Sequence, residues 1–154
     1  MSGTGDGMKW TYSDGGRADA GYKGHADDCV TRAIAIACEL PYRDVYDMLA
    51  QRNRELASRS RRKTRGSTSP RNGSFRKAYE PFLAELGWEW HPTMSIGSGT
   101  TVHLRDGELP SGRILARVSK HLCAVIDGVI HDTFDPSREG TRAVYGFYQE
   151  GVMA

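Results

Sequence analysis

The chain has no apolar run approaching the roughly 20 residues that a membrane-spanning helix needs, so no segment is expected to cross a bilayer. Cysteine is scarce. Three in 154 residues, with no CxxC pair, argue against a disulfide framework. Met1 to Gly7 lacks the basic and apolar regions of a secretory signal, and a cytoplasmic location, where thiols stay reduced, is the expectation. No internal repeat is present. The glycine-rich run GSGTT from Gly97 lacks the GK[ST] ending of a phosphate cradle and reads as a loop. No aromatic residue falls between Arg52 and Asn72, which removes a stacking platform for single-stranded nucleic acid from that stretch.

What is present suits one soluble domain spanning 1–154, long enough to bury about two-thirds of the surface of its unfolded chain. Eighteen glycines point to many turns. The net charge of +2 conceals a division: Arg52 to Lys77 holds ten Lys or Arg and one acid, Glu55, for +9, so the remainder carries −7. Residues 57–73 of that stretch, rich in Ser and Gly, are expected to form a mobile basic loop. It is either a solvated insertion or a docking strip for nucleic acid or an acidic partner. Residues 1–8 are expected to be flexible.

MKWTYS, from Met8, reads as a short strand. Asp27 or Asp28 can cap a helix from Cys29, whose apolar positions Val30, Ala33, Ile34, Ala37 and Leu40 recur at helical spacing. A second helix follows Pro41, with Tyr42, Val45, Tyr46 and Leu49 on one face. Ser74 can cap a third, through Phe75, Tyr79, Phe82, Leu83 and Leu86, ended by Gly87 and kinked or restarted at Pro81. From Trp88 the pattern turns to strands: WEWHPT, TTVHLRD, RILARV, HLCAVI, VIHDTF and AVYGFY. Asp127-Gly128 marks a hairpin between two of them. Helices followed by an antiparallel meander make an α+β domain.

The hairpin carries a geometric statement. A two-residue turn sets Ile126 opposite Val129 and Cys123 opposite Asp132. His121, Cys123, Val125, Ile130, Asp132 and Phe134 then share a face, with Asp132 diagonal to His121. A carboxylate that holds an imidazole fixes the tautomer able to accept a proton. Cys29 begins a helix expected to pack on that face. The partial positive charge of a helix N-terminus favours a thiolate, and the free first-turn amides, including that of Cys29, can hold an oxyanion. The acids at 27 and 28 are assigned to capping and loop contacts. Cys38 and Cys123 read as structural thiols, and His25, His91, His103 and His131 show no partner pattern. His25, Cys29, His121 and Cys123 are residue types that zinc accepts, but their spacing matches no familiar ligand motif, so no metal or cofactor is expected.

DDCVTRAIAIA followed far downstream by SKHLCAVIDGVIHDTFDPS resembles the papain-like cysteine peptidase fold. The likeness is to its bacteriocin-processing and transglutaminase-like branches and to small bacterial and phage proteins of that type. The resemblance spans Gly24 to Ser137. It implies a nucleophilic Cys29 opening the central helix, His121 beginning a strand and Asp132 following on the next. In that fold a glutamine six residues before the cysteine helps bind the oxyanion; here the position is Lys23, whose ammonium can donate to the oxyanion in its place. The bacteriocin-processing branch places its acid in an Asp-Pro step, which makes Asp135, before Pro136, the rival third member. The implied activity is hydrolysis of a peptide or isopeptide bond in a peptide or protein substrate. The alternative is a non-catalytic protein of the same fold that binds a partner through the basic loop.

Overall fold

The computed structural model describes residues 8–23, 28–59, 76–95, 99–100 and 102–151. In chain order the elements are β1 (Lys9–Tyr12), α1 (Cys29–Ala37), α2 (Tyr42–Arg59), α3 (Arg76–Glu85), β2 (Trp88–Pro92), β3 (Met94–Ser95), β4 (Gly99–Thr100), β5 (Arg113–Val118), β6 (His121–Ile126), β7 (Val129–Asp132) and β8 (Gly146–Glu150). The architecture is α+β. The described helices accompany a six-stranded sheet in the order β1-β7-β6-β5-β8-β2, and β3 and β4 form a separate pair. No described helix is long and apolar enough to cross a membrane.

The sheet has a core on each side. Along β5 and β6, Leu115, Leu122 and Ala124 face one cluster with Val30, Ile34, Leu49, Leu83 and Tyr148. The alternate residues Ile114, Ala116, Cys123 and Val125 face a second cluster with Met8, Leu104, Ile130 and Val144. Residues that alternate in direction but are buried either way leave an unbroken apolar run, which is why RILARV and HLCAVI show no polar period. The helix stripes fall as the spacing predicts: Ala33, Ile34 and Ala37 on α1, and Tyr42, Val45 and Leu49 on α2, are all buried.

The hairpin register is the expected one, with Ile126 opposite Val129 and Val125 opposite Ile130. Asp127 and Gly128 take φ of 48° and 82°, the left-handed pair that a two-residue turn between twisted strands requires.

Several expectations are corrected. The sheet is mixed rather than wholly antiparallel, because β1 pairs with β7 in parallel. The helix of Cys29 packs on the Leu122 and Ala124 face, not on the face of Cys123 and Val125. Met8 is not a loose end: its side chain is buried in the second core. Helix α2 continues to Arg59, past the expected start of the basic loop at 57, since its Gln, Arg, Glu, Leu and Ala are all good helix formers. Residues 60–75, with the rest of that loop and the Ser74 cap, lie outside the described residues. Helix α3 runs through Pro81 without restarting. Proline at its sixth position removes only the bond to the carbonyl of Lys77 in the first turns, at an exposed residue. In the run read as a loop from Gly97, Gly99 and Thr100 form β4. Apart from Thr100, which ends β4, the described residues of TTVHLRD form an isolated bridge from His103 to Ala143 instead of a full strand.

Candidate active site

Three elements meet where α1, β6 and β7 come together. Cys29 is the first residue of α1, His121 the first of β6 and Asp132 the last of β7. Although α1 lies on the opposite face from Cys123, His121 stands where β6 begins, within interaction range of the Cys29 sulfur, and each shifts the titration of the other. The His121 Nε2 lies 2.6 Å from Oδ2 of Asp132, which leaves Nδ1 for the sulfur. The other carboxylate oxygen of Asp132 accepts the Thr133 amide at 2.7 Å. Both partners are buried, their side chains 8% and 4% exposed. The ring of Phe134, itself half-exposed, lies 5.2 Å from that of His121 and screens it from one side.

The electrostatics of the pair run against burial. Burial pushes the Cys29 thiol up, but the hydrogen bond and charge of His121, the Leu122 amide and the charge of Arg32 outweigh it, and the thiol titrates below its ordinary range. Burial likewise pushes the His121 imidazole down, but its hydrogen bonds to Asp132 and Cys29, and their charges, pull it up to about 9. A lowered thiol beside a raised imidazole favours passage of the thiol proton to the imidazole. The other thiols are different. Burial pushes Cys38 up to about 12, and buried Cys123, whose Sγ lies 3.8 Å from the Ala116 carbonyl, is pushed up as well.

Asp135 sits elsewhere. It is exposed, and its carboxylate accepts the Ser137 amide at 2.9 Å, closing its own turn. Lys23 is exposed, and its backbone carbonyl takes an Arg17 guanidinium at 3.1 Å; its ammonium makes no bond to a described residue. His25 lies outside the described residues. His103 pairs with Glu108 at 3.2 Å, His91 stacks on Phe147, and burial lowers the His131 imidazole. Among the described residues no group of three or more His, Cys, Asp or Glu is placed to hold a metal ion.

Asp28 corrects the capping expectation. Its side chain makes no capping bond to the amides of α1 and turns inward instead. There it accepts Arg32 Nη1 at 2.7 Å and the hydroxyl of Tyr42, and pairs with Arg17 Nε at 3.3 Å. Two guanidiniums thus offset the acid next to the cysteine, and the first-turn amides take no cap from Asp28; Asp27 lies outside the described residues. Arg32, Arg17 and the Leu122 amide escaped sequence reading. The i, i+4 spacing of Asp28 and Arg32 was the available signal for one of them.

Comparisons of the chain with family models, with curated proteins and with solved structures found no match in any of the three.

Proposed function

We propose that the protein is a cysteine-dependent hydrolase of papain-like type that cleaves a peptide or isopeptide bond. One arrangement carries this reading: a thiol at a helix start beside an imidazole whose Nε2 is held at 2.6 Å by a buried carboxylate. The Cys29 thiolate attacks the amide carbonyl carbon, a C–S bond forms, and the oxyanion faces the Cys29 amide at the α1 terminus. His121 gives its Nδ1 proton to the departing amine as the C–N bond breaks. Water then adds to the thioester while His121 takes its proton; the C–S bond breaks, the carboxylic acid leaves, and the ion pair is restored. Asp132 keeps the imidazole oriented throughout.

The test pairs two measurements. Iodoacetamide should alkylate wild-type Cys29 at near its full rate already at about pH 6.5, far below the range of an ordinary thiol. Cys29→Ala or His121→Ala should remove cleavage of a proteome-derived peptide mixture, a loss of at least about 10³-fold, with the circular dichroism unchanged. A Cys29 that reacts only as pH rises past about 8, or cleavage that survives Cys29→Ala, overturns the assignment.

A further inference from the structure

Six ionisable side chains alternate in sign through the base of the site. Arg17 pairs with Asp28, and Asp28 with Arg32 through Nη1 at 2.7 Å. Arg32 Nη2 then lies 3.5 Å from Asp132 Oδ1, while Asp132 Oδ2 holds His121 at 2.6 Å and His121 acts on the Cys29 thiol. Arg32 is the branch point, because its two terminal nitrogens address two different carboxylates. It sits on α1 three residues after Cys29, on the same side of the helix. Gly15 (φ 71°) lies so close that a Cβ there would come within 3.0 Å of the Arg32 carbonyl. The helix is thereby fixed from the outside at this turn.

Stability does not account for this arrangement. The side chains of Asp28, Arg32 and Asp132 are 0%, 11% and 4% exposed, and desolvation consumes most of what a buried ion pair gains, so apolar residues of similar volume would do as well. A guanidinium that spans two carboxylates does what they cannot: held by one, it sets a charge of fixed position beside the other. We propose that Arg32, clamped on Asp28, is a positioning residue for the reactive pair. It turns the Asp132 carboxylate toward His121 and keeps a fixed positive charge one helical turn from the Cys29 sulfur. The inference rests on the reading of Cys29, His121 and Asp132 as the reactive set. Among the described residues, the other ionisable groups in electrostatic reach of that set are Cys123 of β6 and Arg142. A buried thiol that stays protonated and a guanidinium that stays charged both titrate outside the range tested.

The experiment measures the Cys29 alkylation rate by iodoacetamide against pH, with the labelled peptide identified by mass spectrometry. Arg32→Gln should move the midpoint up by about one unit, so that below it the rate falls about tenfold. Arg32→Lys, which keeps the charge but not the fork, should recover part of that shift. A purely structural role would lower the folded fraction and leave the midpoint in place. Should Arg32→Gln alone fail to fold, the double variant Asp28→Asn/Arg32→Gln removes both ends of the clamp together and leaves no lone carboxylate at 28. A folded Arg32→Gln or double variant with the wild-type midpoint overturns the role of Arg32 while the hydrolase reading stands. A wild-type midpoint at the ordinary thiol value of about 8.5 overturns both.

Discussion

At the scale of single residues, the protonation of His121 is a property of its partners and can be tested as one. Asp132 and Cys29 each favour the imidazolium over the burial that opposes it. Removing either should lower the His121 pKa from about 9, and the C2 proton shift of that ring across a pH titration would report it. Cys29→Ala removes a hydrogen bond and a negative charge, and Asp132→Asn removes another charge; both should shift the titration down by a unit or more, on the order of 1.4 kcal/mol per unit. Asp135→Asn, in a separate turn, should leave it in place, and a shift there equal to that of Asp132→Asn would reverse the two acids. The sign of the linkage to folding follows. His121, raised on folding, contributes stability that is complete below its unfolded value of about 6.5 and is lost as pH rises to about 9. Cys29, lowered on folding, contributes stability that is complete above about 8.5–9 and is lost as pH falls toward its folded value. Where both groups titrate, below about 9 and above the folded value of the Cys29 thiol, the two slopes oppose each other, so the wild type should show a nearly level stability from this pair there. Cys29→Ala keeps only the reduced His121 contribution, and its urea midpoint should decline from about pH 6.5 upward, relative to wild type, before levelling. A wild-type urea midpoint that falls steeply between pH 7 and 8.5 would contradict the ion pair.

At the scale of elements, the site depends on β5 and β6 being held at the middle of the sheet, and β8 is the strand that ties them to β2. Gly146 begins β8 opposite Pro92 of β2, where the Trp90 ring and the His91 carbonyl lie so close that a Cβ would meet that carbonyl oxygen at 2.8 Å. A backbone oxygen inside a strand pair cannot move aside as a flexible side chain can. Gly146→Ala should therefore cost at least about 2 kcal/mol in urea unfolding, and a loss under about 0.5 kcal/mol would show that β2 shifts freely. Nothing in the run AVYGFY announces such a contact; it displays only its strand period. The same distinction governs what was legible elsewhere. Local chemistry spoke clearly: Asp127-Gly128 set the hairpin and its register, and that register delivered Asp132 to His121. The helical spacing after Cys29 located the buried helix. Pairings between distant segments did not. The parallel docking of β1 on β7 joins residues well over a hundred positions apart, through a four-residue strand that is exposed throughout. The face on which α1 packs was missed for a related reason: with both faces of β6 buried, neither is marked as the one a helix should cover. Arg17 reaches Asp28 only because Asp14 folds its own turn around the Gly16 and Ala18 amides, at 2.9 and 3.0 Å.

At the scale of the whole molecule, the remaining asymmetry is of charge. The +9 of Arg52 to Lys77 opposes −7 elsewhere, but the segment is not uniform in what its cations do. Arg52 of α2 bonds Glu85 of α3 at 2.6 Å and lies over the Phe82 ring. Arg76 pairs with Glu80 at 3.0 Å and lies over Trp90. These two, at either end, are engaged in packing α2, α3 and β2. Arg61, Arg62, Lys63 and Arg65 belong to the stretch outside the described residues, and they concentrate four positive charges within five positions. If that concentration docks a polyanion, each phosphate contact should release counterions, and affinity for a short single-stranded oligonucleotide should fall steeply with salt. Replacing all four with Gln should lower the slope of log affinity against log salt by up to about 3, since each contact contributes about 0.7 for a single strand. If these charges also stand more than a Debye length, about 8 Å at physiological salt, from Cys29, they are largely screened from it and its alkylation midpoint should stay where it is. An unchanged salt slope would make the segment a solvated insertion. A shifted Cys29 midpoint in the same variant would instead place these charges against the reactive pair, and the two outcomes are read from one protein preparation.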